Sequence, residues 1–221
     1  PDSDAFTTHY SGITLHKEDL VEQPRVIEAP SDGAVGIATL ANLSNPHKGT
    51  DVLIEAVGRC VEDGLPLELH IAGDGHFRGA LQRQAAELGL AQRVHFHGYL
   101  SDAEDVRALL DRADIFALPS RTEGLPKAII EAMARALPCV ATTVGGIPEL
   151  LPEEALVAPG DAEALAEKIG TIARDSGLMT RMSRRNLEEA RSYRQSVLRP
   201  KRIEFYQHVH DRTAAWLARR T

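Results

Sequence analysis

Beyond residue 33 the chain alternates short apolar runs with longer segments in which apolar residues recur every three or four positions. The runs Val35–Leu40, Leu67–Ala72, Val94–His97, Ile115–Leu118, Cys139–Thr142 and Leu156–Ala158 predict strands. Between them, Asp51–Asp63, Phe77–Leu88, Ala103–Arg112 and Lys127–Ala136 predict helices. Strands separated by helical segments form βαβ units and therefore a parallel sheet. Right-handed crossovers then place helices on both faces. The expectation is an α/β, doubly wound, Rossmann-like domain of about six strands over residues 33–175. Further helices are expected at Asp161–Arg174, Leu178–Ser192 and Pro200–Arg219, so residues 176–221 read as C-terminal helices. Residues 1–32 are polar, carry Pro24 and the turn signal Pro30-Ser31-Asp32-Gly33, and read as a lead-in or interdomain linker.

Composition narrows the class. The 221 residues are 43% hydrophobic, 26% charged and 5% aromatic, which excludes a disordered or collagen-like chain. No apolar run approaches the roughly 20 residues of a membrane-spanning helix. The opening Pro1-Asp2-Ser3-Asp4 lacks the basic start and apolar stretch of a secretory signal. Cys60 and Cys139 lie far apart in apolar surroundings, as two reduced core thiols of a cytoplasmic protein would, with a disulfide or metal pair as the alternative. Charge is distributed unevenly: residues 1–179 hold 14 Lys/Arg against 28 Asp/Glu, and residues 180–221 hold 11 against 4. A main body this acidic excludes general nucleic-acid binding, which needs a basic face.

In an open parallel sheet, ligands bind at the carboxyl ends of the strands, and the unusual residues fall there. After the first strand comes Asn42-Leu43-Ser44-Asn45-Pro46-His47-Lys48-Gly49, opening a helix. A lysine at a helix start suits a phosphate, although a solvated loop lysine has the same appearance. Ala72-Gly73-Asp74-Gly75 fits a tight strand-to-helix turn or a close backbone approach to a ligand. His95 and His97 share one strand face, without the companion ligands of a metal site. The following Gly98-Tyr99-Leu100-Ser101 is placed to read a base through backbone groups. The fourth strand leads into Leu118-Pro119-Ser120-Arg121-Thr122-Glu123-Gly124-Leu125-Pro126-Lys127, with Pro126 expected at the first helical position. Glu123 lies in that loop, and Glu131 lies within the helix among Ile129, Ile130, Ala132, Met133 and Ala134, so it is expected to be part buried. Two carboxylates beside free helix amides suit a ligand with several hydroxyls and a phosphate. After the fifth strand, Gly145-Gly146-Ile147-Pro148-Glu149 reads as a close backbone approach or a plain loop.

These stretches resemble the donor half of family 4 retaining glycosyltransferases, the group 1 glycosyl transferases of the GT-B fold. The resemblance is carried by Leu118-Pro119-Ser120, Glu123-Gly124-Leu125-Pro126, Glu131-Ala132-Met133-Ala134, Gly145-Gly146-Ile147-Pro148-Glu149, His47-Lys48-Gly49 and Pro159-Gly160-Asp161, in that family's order. It implies a Glu-x7-Glu pair, Glu123 and Glu131, in a domain that binds a nucleotide sugar, with UDP favoured and GDP next. Lys48 would neutralise the donor diphosphate and Glu123 would hold sugar hydroxyls beside the reacting carbon; these two are the implied catalytic residues. Glu131 would accept ribose hydroxyls, and the amides of Gly124, Leu125 and Lys127, around Pro126, would hold sugar or phosphate oxygens. Tyr99, Leu100 and Ser101 would frame the base, and Asn42, Arg121 and Gly146 are the further donor-binding positions implied. The resemblance implies no cofactor and no metal.

Three departures stand out. Asn42 and Leu43 occupy the stretch where the family often has an arginine, and Arg121 is the candidate for a second positive charge. Ala136 stands where the family has a glycine after the helix. The family also resembles two facing Rossmann domains, whereas the match here covers only the second. The chain is therefore expected to be the donor half, inactive alone, of an enzyme that moves a hexosyl unit onto a glycan or lipid-linked acceptor held by another domain. The alternatives are half of a nucleotide-sugar epimerase or hydrolase, or a non-catalytic binding module. In the last predicted helix, Ile203, Tyr206, Val209, Thr213 and Trp216 form a stripe bordered by Arg199, Lys201, Arg202, Arg212, Arg219 and Arg220. It reads as a surface for the other domain or for peripheral contact at the inner face of a membrane.

Overall fold

The computed structural model describes residues 12–27 and 33–218. The Pro30-Ser31-Asp32 part of the expected turn, and Arg219 and Arg220 of the basic border, lie outside the described residues. Six strands form one parallel sheet: β1 (Val35–Leu40), β2 (Leu67–Ala72), β3 (Val94–Gly98), β4 (Ile115–Leu118), β5 (Cys139–Thr142) and β6 (Leu156–Val157), in the order β3-β2-β1-β4-β5-β6. Every residue of β4 and β5 is buried, because helices cover both faces, and this is why those strands read as unbroken apolar runs. Edge strand β3 is only half-covered, which lets it carry His95 and His97.

The helices are α1 (Thr50–Glu62), α2 (Arg78–Glu87), α3 (Ala103–Arg112), α4 (Lys127–Ala134), α5 (Ile147–Leu150), α6 (Ala162–Arg174), α7 (Ser176–Arg191) and α8 (Gln195–Ala218). They divide the interior into two layers. One face of the sheet packs Ile37, Leu69, Ile71 and Val140 under α1, α2 and α6. The other packs Ala38, Phe116, Leu118 and Ala141 under α3, α4 and the end of α7. Burial of this alternating set supplies the main driving force for the fold.

Helix α4 ends in a Schellman turn: Leu137 N donates to Ala132 O at 3.1 Å and Ala136 N to Met133 O at 2.9 Å. Ala136 holds the left-handed conformation, φ 57°, that a glycine would adopt there. The turn therefore survives the substitution, at a strain of about 1–2 kcal/mol.

Most boundaries lie within two residues of expectation, the short helix α5 stands where the sequence reads as a loop, and α8 departs further. Helix α8 starts at Gln195 and carries Pro200 inside it, so Pro200 does not open the helix. The missing N–H removes one bond in the second turn while the helix continues. Strand β6 is two residues long. The described part of the lead-in straps onto the domain: Leu15 is buried, Leu15 N donates to Tyr193 O at 2.9 Å, and Gln195 N donates to Leu15 O at 3.0 Å. Arg25 reaches the carbonyls at the ends of α3 and α4, with Nη2 on Leu110 O and Nε on Arg135 O, each at 3.0 Å. Along α8 only Leu198 is buried, and Ile203, Tyr206, Val209 and Trp216 are exposed. No helix of the described residues is long and apolar enough to cross a membrane.

Candidate functional site

The strand order reverses between β1 and β4, and the loops after these two strands are pressed together. In the β1–α1 loop, Asn45 Oδ1 accepts from His47 N at 2.9 Å and starts a short 3-10 turn, Pro46–Lys48. Gly49 follows with φ 66°, and a Cβ there would stand 2.0 Å from Pro119 O. Only glycine permits this approach, and it brings Lys48 against the β4 loop. Lys48 Nζ meets Glu123 Oε1 at 2.6 Å, and Ser120 Oγ donates to the same oxygen at 2.7 Å. Ser120 is in turn fixed by Thr142 Oγ1, which donates to Ser120 O at 2.6 Å. The Glu123 side chain is 8% exposed, so its charge is held inside the protein by a charge-assisted bond and a hydroxyl.

Arg121 turns its guanidinium to Asp51 and Pro46 and not to the Lys48–Glu123 pair. Its guanidinium grips Asp51 with two bonds of 2.8 and 2.7 Å and also donates to Pro46 O at 2.8 Å. Burial alone would raise the Asp51 carboxyl, but the bonds and charge of Arg121 hold it below the ordinary carboxylate value. Arg121 N also donates to His47 O at 2.7 Å. The residue is a clamp between the two loops, made by a fork geometry that is already satisfied.

Pro126 lies just outside α4, as its N-cap, with φ −76° and ψ 113°, and not at the first helical position. Its extended ψ ends the loop, and Lys127 becomes the first helical residue. No side chain caps the first turn of α4. Lys127 Nζ pairs with Glu131 Oε1 at 2.7 Å, and the Glu131 side chain is 24% exposed, part buried as expected. Gly145 has φ 57°, and a Cβ there would stand 2.1 Å from Glu123 O. Gly146 N donates to Gly124 O at 2.7 Å, so the one donor Gly146 offers is already used to prop the Glu123 loop.

A cavity of about 690 Å³ opens at these loops. Of the residues expected from sequence, Asn42, Lys48, Tyr99, Leu100, Lys127 and Glu131 line it. Glu123 joins through Lys48, while Gly124, Leu125, Pro126, Ser101, Arg121 and Gly146 are not part of the lining. Sequence reasoning did not assign Ser44, Asp74, Val106 or Ser120. For Asp74 the Gly73-Asp74-Gly75 turn was a usable signal; for Ser120 the Leu-Pro-Ser run was. His95 and His97 gain a neighbour from β2: His70 Nδ1 lies 3.1 Å from His97 Nε2, and the rings of His70 and His95 stack at 4.9 Å. Among the described residues, no group of three or more His, Cys, Asp or Glu is placed to hold a metal ion.

The profile of the family described as glycosyl transferases group 1 matches residues 34–175. The chain belongs to this family. Among curated proteins it is 35% identical over 159 residues to the putative colanic acid biosynthesis glycosyltransferase WcaL of Escherichia coli, covering 68% of this chain and 38% of that protein. The curated relatives matched in this way are longer, and the match spans between 36% and 41% of their length. Among solved structures, Anabaena Alr3699/HepE in complex with UDP and glucose is similar with a TM-score of 0.72 and 26% identity, covering 79% of this chain and 48% of that one. The C-terminal domain of the group 1 protein LpcC from Francisella tularensis shares the fold, with a TM-score of 0.67 and 23% identity over 73% of this chain and 87% of its own.

Proposed function

We propose that this chain is the nucleotide-sugar-binding half of a retaining glycosyltransferase, with residues 33–175 holding the donor, α7 packed onto them and α8 turned toward an acceptor-binding domain. The observation that carries the reading is the convergence of Lys48, Lys127 and Glu131 on one cavity, with Glu123 bonded to Lys48, at the switch point of a parallel sheet. In this reading the diphosphate lies toward Lys48 and the uncapped first turn of α4, where ammonium and amide groups stabilise the departing charge. Glu123, fixed by Ser120, orients sugar hydroxyls, and Glu131 takes the ribose. Tyr99 and Leu100 border the end of the cavity where the base would sit. Rate would come from positioning and from stabilising the leaving group. UDP is the favoured nucleotide, supported by the similarity to a protein whose structure contains UDP and glucose. Transfer of a hexosyl unit to a glycan or lipid-linked acceptor fits the colanic acid relative. The exposed stripe of α8 supports a second domain as its partner, and the free, buried thiols support a cytoplasmic location.

Calorimetric titration of the chain with UDP, GDP and ADP, each repeated with a chelator, tests the reading. Saturable binding with UDP tightest is expected; binding of none of the three would refute it.

A further inference from the structure

The charges around the cavity are matched in pairs. Its lining carries two cationic side chains, Lys48 and Lys127, and two carboxylates, Asp74 and Glu131. Asp74 is occupied by Gly75 N at 2.7 Å and Arg78 Nη1 at 3.1 Å. Lys48 is held by Glu123 at 2.6 Å, inside the loop contact made by Gly49 and Pro119. The pair Lys127–Glu131 differs. The Lys127 side chain is 65% exposed, its stem is free to turn, and it sits on the first turn of α4 beside uncapped amides. A one-turn surface pair of this kind is weak and easily exchanged. An incoming diphosphate adds negative charge to a lining whose ammonium groups are already matched, and the exposed, weakly paired one is best placed to change partner and offset it.

We propose that Lys127 makes that exchange. In the empty site its ammonium neutralises Glu131; in the loaded site it moves to a diphosphate oxygen and leaves Glu131 free to accept hydroxyl hydrogens of the nucleoside. Lys127 is then a phosphate-sensing residue that couples occupancy of the diphosphate position to availability of the ribose anchor. The inference rests on the nucleotide-sugar reading above.

The test compares the nucleoside diphosphate bound by the wild-type chain with the matching free nucleoside, using Lys127→Met and Lys127→Arg. Lys127→Met is expected to weaken the diphosphate about tenfold, which is about 1.4 kcal/mol, while the nucleoside binds as well as before or better. Lys127→Arg is expected to keep diphosphate affinity near the wild-type value. Unchanged diphosphate affinity in Lys127→Met overturns the exchange, and so does an equal loss for diphosphate and nucleoside, which marks a structural role. A wild-type chain that binds neither ligand refutes the donor reading itself, and the exchange with it.

Discussion

Gly145 offers a measurable link between a loop and the centre it supports. It holds φ 57°, and a Cβ added there would stand 2.1 Å from Glu123 O, 2.7 Å from Glu123 C and 2.9 Å from Gly124 O. Gly160 has the same hand of backbone, φ 82°, but an added Cβ would meet nothing within 4 Å. Alanine at either position bears the left-handed penalty of roughly 1–2 kcal/mol. At Gly145 it must also push the Glu123 carbonyl back by about an ångström, a displacement in the class of overpacking that costs roughly 1–3 kcal/mol. Gly145→Ala should therefore destabilise by about 2–5 kcal/mol, against about 1–2 kcal/mol for Gly160→Ala. Urea unfolding followed by far-ultraviolet circular dichroism gives both values, provided the slope with denaturant is unchanged. Because the displaced carbonyl belongs to Glu123, Gly145→Ala should also weaken binding of the nucleotide, and Gly160→Ala should leave it alone. Equal destabilisation by the two variants would refute the steric argument. So would a Gly145→Ala protein with wild-type affinity.

Two further outcomes follow from titratable groups that the fold moves away from their ordinary values. His70 is shifted below the ordinary histidine value by burial, then by His95, His97 and Arg112, with Glu68 opposing; His97 is shifted the same way by burial, His95 and Arg112. Since the folded state disfavours their protonation, stability should be full above pH about 6.5 and fall as pH drops below it. Urea midpoints at pH 7.5 and 5.5 should differ less in a His70→Gln, His97→Gln double variant than in the wild type; equal differences would refute the assignment. Burial pushes the Cys60 thiol up to about 11 and Cys139 further in the same direction. Both should resist an aromatic disulfide reagent at pH 8 until the chain unfolds, and rapid labelling of the native protein would contradict this.

The sequence by itself determined the architecture. Strands β1, β2, β4 and β5 begin and end where the sequence pattern does; β1, β4 and β5, covered on both faces, are apolar or small throughout, while β2 alternates with Glu68 and His70 on its less covered face. It also placed Lys48, Glu131 and the base-side loop at one end of that sheet, since chain order and crossover hand leave little choice. Partnership was another matter. Arg121 looks like a free cation until Asp51, seventy positions earlier, takes both arms of its guanidinium. Gly146 looks like a ligand donor until Gly124 O uses its amide. Pro200 looks like a helix start until α8 runs through it. Local periodicity fixes elements because it depends on neighbours three or four residues apart. Which polar group a side chain satisfies depends on residues brought together only by the closed sheet, so periodicity and spacing do not reveal it.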